Sequence, residues 1–393
     1  MRRSPSLVND VRLILPVVLL LAGCVGTLRI PAPETAPRLK VLWSLDLHRE
    51  VPVNKLYGKQ EFSSPVLADR RLVVATSAGE VHDLNPFNPS DRRILPVKSD
   101  SLLAAPLFLP DKEDLLILAD LDGTLQALAW PTGKLRWTKL LSGSVLQTPA
   151  YDGELLYLLD TSHTLTAVTV NKGEVRWTQR HEPERAQDLL SAISPVVHHD
   201  ALFIGQADGV LQCLERLDGK ERWRRVLEPL GEGQRLIGFA APVQVFDNLL
   251  IAATYSSALY GLSSETGDTM WRRVDIPGIV AMTASSEGIL YIGASDGSFH
   301  ALDRDTGASH WTLNSSAFEA RAGELPSPAL VLGEYLVLGY TQSDLFLLRR
   351  SDGALLDRLA LGSGLCSSPT LGPEGTFFVL SNLGVLYQLS LVQ

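Results

Sequence analysis

Five tryptophans, Trp137, Trp177, Trp223, Trp271 and Trp311, recur 40, 46, 48 and 40 residues apart, and each has a glycine four positions earlier, at Gly133, Gly173, Gly219, Gly267 and Gly307. A period of this length means one supersecondary unit copied along the chain, a unit that buries its apolar faces only by stacking on its neighbours. A second marker, a proline opening an apolar run, recurs at Pro65, Pro106, Pro149, Pro195, Pro242, Pro328 and Pro369, with Thr283 filling the one gap. The chain therefore holds eight units averaging about 43 residues.

Inside a unit the apolar pattern has period two and is broken by turn residues. In the second unit Leu115 to Leu118 reads as a strand, Asp122-Gly123 as a tight turn, Thr124 to Ala129 as the next strand, Pro131 to Gly133 as another turn, and Leu135 to Leu140 as the strand carrying Trp137. The strand that the proline begins makes four, since proline is tolerated where no ladder donor is needed. Four antiparallel strands per unit is a propeller blade, so the expected fold is all-β, an eight-bladed β-propeller.

The eighth unit runs from Pro369 to the end at Gln393 with no room for a Trp-bearing fourth strand. The segment Val41-Leu42-Trp43-Ser44-Leu45 supplies one, so the N-terminal strand is expected to complete the last blade and remove the open edges of the ring. Units one and seven deviate, with Ile94 and Asp357 at the expected tryptophan position.

Arg2 and Arg3 precede an apolar stretch from Val11 to Leu21 that is interrupted by Arg12 and Pro16, too short to span a bilayer and suited to a secretory signal. It ends in Leu21-Ala22-Gly23-Cys24, which resembles the lipobox of bacterial lipoproteins. That resemblance implies cleavage between Gly23 and Cys24, acylation of Cys24 and, with Val25 rather than Asp following, an outer-membrane destination. The expected domains are a signal peptide over 1–23, the lipidated cysteine and a Pro-rich tether over 24–40, and the propeller over 41–393. Cys213 and Cys366 fall in apolar segments on opposite sides of the expected ring, so both thiols are expected to be free. With 45% hydrophobic and 20% charged residues the chain can pack a core, and 35 Lys and Arg against 44 Asp and Glu, without a basic cluster, argue against a nucleic-acid partner.

Ala301-Leu302-Asp303, Thr306-Gly307 and Trp311 resemble the Ala-x-Asp-x-x-x-Gly-x-x-x-Trp motif of the pyrroloquinoline-quinone-type repeat, although Ala129, Thr169, Glu215 and Ser263 stand at the Asp position in other units. In that family the tryptophan docks into the neighbouring blade, which makes Trp43, Trp137, Trp177, Trp223, Trp271 and Trp311 structural residues. Eight such units behind a lipid anchor resemble the BamB family of propeller lipoproteins. The resemblance implies a non-catalytic scaffold, without a cofactor, that binds the barrel assembly machinery and helps deliver unfolded β-barrel proteins to the outer membrane.

Because chain direction alternates, the turn between second and third strands and the connection to the next blade emerge on one face. Trp-to-Pro intervals of 12 residues after Trp137 lengthen to 18 after Trp177 and 19 after Trp223, so two long connections are neighbours on one rim. The first holds Arg185, Asp188, Leu189 and Leu190, the second Gln234, Arg235, Leu236 and Phe239, apolar groups beside arginine as in an interface hot spot. The family places Leu-Ser-Leu-Arg in the first loop and Asp-x-Asp in the second. Leu190 stands at the position of that Arg, and Ile237 and Phe239 at the positions of the acidic pair, so the location of the interface carries over and its charged contacts do not.

Two other functions stay open. Quinoprotein dehydrogenases use the same propeller, but they clamp their quinone with adjacent cysteines, and no two cysteines are adjacent here. His198-His199, the one histidine pair, is expected to point to opposite faces of a strand, and Asp303 to brace a turn. No nucleophile elbow, phosphate loop or zinc spacing is present. A propeller binding a small ligand or polysaccharide in its central funnel leaves no local motif and is not excluded.

Overall fold

The computed structural model describes residues 36–49, 51, 60–97, 99, 101–183, 193–227, 238–239, 241–255 and 258–393. These form eight four-stranded antiparallel sheets. Seven consist of four consecutive strands and are numbered here as blades 1 to 7, from Val66–Ala68 in blade 1 to Leu355–Leu359 in blade 7. Blade 8 is assembled from both ends of the chain: Thr370–Leu371, Phe377–Leu380 and Val385–Val392, completed by Arg38–Asp46. Arg38 lies opposite Val392 and Asp46 opposite Val385, with a bulge between Val41 and Trp43.

The middle strands are largely apolar because both faces of a blade are covered. Leu115–Ala119, Leu155–Leu159 and Leu249–Ala253 are buried at every position. Burial then organises the molecule as a cycle of eight hydrophobic clusters, one at each blade junction. Leu155, Tyr157 and Ala167 of blade 3 pack with Leu202, Ile204 and Leu214 of blade 4, and Leu72, Val74 and Leu84 of blade 1 with Phe378, Leu380 and Leu386 of blade 8. Each blade contributes to two clusters, so the ring is held by junctions and has no single centre.

The Gly–Trp periodicity has its cause across the junctions. The ring of Trp137 lies on Gly173, Trp177 on Gly219, Trp223 on Gly267, Trp271 on Gly307 and Trp311 on Gly353. A Cβ on Gly219 would stand 2.8 Å from the Trp177 ring, and its φ of +74° is itself left-handed, so both sterics and backbone require glycine. The indole N–H of Trp137 donates to the Val170 carbonyl at 2.7 Å, Trp177 to Arg216 at 3.1 Å, Trp223 to Ser264 at 3.2 Å and Trp311 to Arg350 at 2.8 Å. Trp43 makes the same bond, to Pro86 in blade 1 at 3.1 Å, and thereby closes the ring. Glu61, fully buried, accepts the Ser77 N–H at 2.9 Å and hydroxyl at 2.7 Å, and its Oε1 lies 2.9 Å from His48 Nε2.

Several sequence expectations are corrected in detail. The N-terminal strand begins at Arg38, not Val41, because Leu39 is already buried and its N–H donates to Asp357 Oδ2 at 2.7 Å. The tether boundary at residue 40 therefore falls inside a strand. In blade 1 the tryptophan position belongs to Arg93, not Ile94: Arg93 pairs with Asp83 as Trp137 pairs with Ala127. Its guanidinium donates to the Pro131 carbonyl of blade 2, as an indole would, and to Asp83 at 2.6 Å. In blade 6 the residue aligned with the opening prolines is Met282, while Thr283 already pairs with Tyr291; with no proline to stop it, the strand extends back to Ile279. Cys213 is free and buried in a strand, and burial pushes its thiol up to about 12. Cys366 is free but half-buried, in a connection outside any strand.

Candidate interaction surface

The two faces of the ring differ in what they carry. One collects the turns between outer strands and between the first two strands, such as Pro131–Gly133 and Asp152–Gly153. The other collects the turns between middle strands, such as Asp120–Gly123 and Gln206–Gly209, together with the blade-to-blade connections. Two neighbouring long connections leave this second face at Arg180 and Val226 and return to it at Val196 and Gln244, and a third of similar length, apart from them, joins Leu313 of blade 6 to Leu330 of blade 7.

Arg185, Asp188, Leu189 and Leu190 of the first connection, and Gln234, Arg235 and Leu236 of the second, lie outside the described residues, as do Gly23 and Cys24. The remaining candidate, Phe239, is corrected by its burial. It is 2% exposed and packs into the cluster between blades 4 and 5, with its ring against Gly205. Phe239 bridges Thr254, and Tyr255 donates its N–H to the Gly238 carbonyl at 2.8 Å. Phe239 is therefore the buried root of its connection, and its ring does not reach the surface. Ile193, at the end of the first connection, enters the same cluster and also contacts the site where a Gly205 Cβ would lie. Both long connections are thus rooted side by side over blade 4. The signal that would have found these roots is Gly205 itself, the residue with no side chain between them.

Between blades 3 and 4 a cleft of about 350 Å³ opens beside the first connection, lined by Gln179, Arg180, His181, Glu182, Gln212, Glu221 and Arg224. His181 Nε2 lies 2.7 Å from Asp208 Oδ2. Burial would raise the Asp208 carboxyl, but the hydrogen bond and the charge of His181 outweigh it and hold the group below its ordinary range. At the axis of the ring a second cavity, about 280 Å³, opens on the same face, and its wall includes Phe62, Leu103, Leu146, Gln147, Met282 and Cys366. The lining is mixed, with Ser64, Gln147, Thr148 and Ser368 among the apolar groups.

The other candidates have structural placements. Asp303 Oδ1 accepts the Thr306 hydroxyl at 2.6 Å and the Thr306 N–H at 2.8 Å, bracing its turn, and the hydroxyl bond lowers its carboxyl below the usual range. His198 and His199 do not point apart as expected. His199 sits in a turn with φ +54°, which brings the two rings to 4.2 Å. No group of three or more His, Cys, Asp or Glu side chains able to hold a metal ion occurs among the described residues, and no described helix is long and apolar enough to cross a membrane. What sequence reading missed is the charged centre of blade 1, where fully buried Asp83 is held by Arg71 and Arg93 in place of an alanine and a tryptophan.

The ring is similar to solved propellers. The crystal structure of BamB from Moraxella catarrhalis superposes with a TM-score of 0.71 over 90% of this chain and 99% of that one, at 20% identity. A quinohemoprotein alcohol dehydrogenase from Comamonas testosteroni superposes with a TM-score of 0.70 over 89% of this chain and 76% of that one, at 13% identity. At these identities both likenesses speak for the fold alone. In sequence, the outer membrane protein assembly factor BamB of Legionella pneumophila (strain Paris) is 30% identical over 51% of each chain, and that of Alkalilimnicola ehrlichii 29% identical over 52% of each. The chain thus matches about half the length of these curated relatives. The family model described as outer membrane protein assembly factor BamB matches residues 38–312 and 230–370, most of the ring. The chain belongs to the BamB family.

Proposed function

We propose that the protein is a non-catalytic scaffold of the outer membrane, facing the periplasm, that binds a subunit of the β-barrel assembly machinery and aids insertion of barrel proteins. The observation that carries this reading is the rooting of both long connections in one cluster by Ile193 and Phe239, which sets two neighbouring loops on one face of a closed ring. A rigid scaffold carrying adjacent variable loops is the usual construction of a binding surface. Family membership supports the same reading. Cleavage after Gly23, acylation of Cys24 and a tether ending near Arg38 would hold the ring at the membrane, several acyl chains making the attachment stable.

Co-purification of the native protein in mild detergent tests this proposal. The expected companion is an outer-membrane barrel assembly subunit. The rival reading, a quinoprotein dehydrogenase, expects visible absorbance and dye-linked alcohol oxidation after addition of quinone and calcium, and either result without a companion subunit would refute the scaffold.

A further inference from the structure

The outer strands of blades 2 to 5, Lys134–Leu140, Val175–Arg180, Glu221–Val226 and Thr269–Arg273, carry ten Lys and Arg residues and one carboxylate, although the whole chain has a net charge of −9. The repeat does not require these cations, since the outer strand of blade 6, Ser309–Leu313, has neither Lys nor Arg. Toward the turn face Arg136 is tied to Glu113, Arg176 to Glu154 and Arg222 to Asp200 and Glu215.

Toward the connection face Arg225 and Arg273 are tied to Asp268 and Asp275, which leaves Lys139, Arg180, Arg224 and Arg272. Lys139 and Arg180 have no carboxylate partner among the described residues. Arg272 lies over the Tyr260 ring at 5.3 Å, and Arg224 is 3.7 Å from the half-exposed Glu221. Exposed apolar residues end or follow the same strands: Leu140 at 69%, Val226 at 59% and Val274 at 60%. On the opposite half of the ring the corresponding cation, Arg358 of blade 7, is held by Asp344 and Glu319. A cationic and apolar shoulder therefore borders the connection face over blades 2 to 5, the sector that carries both long connections. Arg180 and Arg224 line the cleft at its middle, together with His181, Glu182 and Glu221.

We propose that this shoulder is a second part of the docking surface and takes a carboxylate-bearing, partly apolar face of the partner protein, with a carboxylate seated in the cleft between Arg180 and Arg224. The inference rests on the scaffold reading above and deepens it by stating the partner's chemistry. It accounts for where this chain keeps electrostatic complementarity when its second long connection spends Phe239 on its own core.

The test uses the full chain in intact cells, with photo-cross-linking probes at Leu140 and Val226. Both probes should capture the subunit that co-purifies with the unaltered protein. Arg180→Glu with Arg224→Glu should lower that capture on the order of ten-fold or more, and Arg180→Lys with Arg224→Lys should restore most of it, with the urea midpoint unchanged throughout. If the reversal lowers that midpoint, Arg180→Gln with Arg224→Gln should still weaken capture several-fold. Capture that is insensitive to both substitutions overturns this inference and leaves the scaffold reading standing. So does a reversal that abolishes only binding to vesicles of phosphatidylglycerol and phosphatidylethanolamine, which would make the shoulder a lipid contact. Failure of the unaltered chain to co-purify with any assembly subunit overturns the scaffold reading first.

Discussion

The indole N–H of Trp43 donates to the carbonyl of Pro86 across 3.1 Å, so the strand that completes the last blade is bonded directly to the first. Trp43 also packs on Phe378 at 6.0 Å between centroids. Trp43→Ala removes both contacts and should destabilise the whole ring by about 3 kcal/mol, within the range for truncating a large packed aromatic. Leu42→Ala, at an exposed neighbouring position, should stay within about 0.5 kcal/mol. Urea unfolding of the two variants checks this. Equal midpoints would mean that the latch contributes nothing.

Glycine-to-alanine substitutions separate backbone strain from blade docking. Gly153 has φ +100° and open space around a would-be Cβ, whereas Gly219 has φ +74° and the Trp177 ring at 2.8 Å. Gly153→Ala should cost about 1 kcal/mol for the left-handed backbone. Gly219→Ala should cost about 3 kcal/mol, since overpacking adds to that strain. Thermal or urea unfolding would resolve the difference, and similar losses would show that the tryptophan is not tightly seated.

Blade 1 offers a test of its charged centre. Asp83 has no exposed surface, but Arg71 and Arg93 reach solvent and Arg71 keeps Asp91, so Asp83→Ala should cost about 2 kcal/mol, the loss of two charge-assisted bonds partly offset by hydration. Adding Arg93→Trp restores the pairing found in the regular blades, and the double variant should recover part of that loss. A double-mutant cycle measures it, and strict additivity would show that the two side chains do not act as a unit.

These positions also show how far the sequence was legible. The period, the four strands of a unit and the closing role of Trp43 could be read because a glycine of left-handed φ and a docking indole recur in register. Arg93 could not, because its role depends on Asp83 and Arg71 in other strands, and a side chain counted by spacing alone gives Ile94. Phe239 misled for a related reason. An aromatic in a long, variable connection resembles an interface anchor until Gly205, 34 positions earlier, is seen to make room for it. The connection face could be inferred from chain direction, whereas the shoulder could not, because whether a cation is free depends on which carboxylates the turns bring to it.

A buried histidine sets a pH dependence. Burial, with smaller contributions from Arg92 and His48, lowers His82 to about 4, against about 6.5 in an unfolded chain. Between those values the unfolded state binds the extra proton, so stability is full above pH 6.5 and falls as pH drops toward 4. The loss attributable to His82 reaches at most about 3 kcal/mol, with Glu80 Oε2 at 3.3 Å able to offset part of it. His82→Gln should flatten the curve of urea midpoint against pH over this window. A variant that loses stability as steeply as the parent would assign the effect to other groups.

The proposed partner of the face bearing the two neighbouring long connections is an outer-membrane assembly subunit. Photo-cross-linking in intact cells, with probes at Leu189 and Leu236 within the two connections and at Gly153 and Gly333 on the opposite face, tests it directly. Capture of the same assembly subunit from Leu189 and Leu236, with none from Gly153 or Gly333, is the predicted result. Capture from the opposite face, or of proteins unrelated to barrel assembly from either, would contradict it.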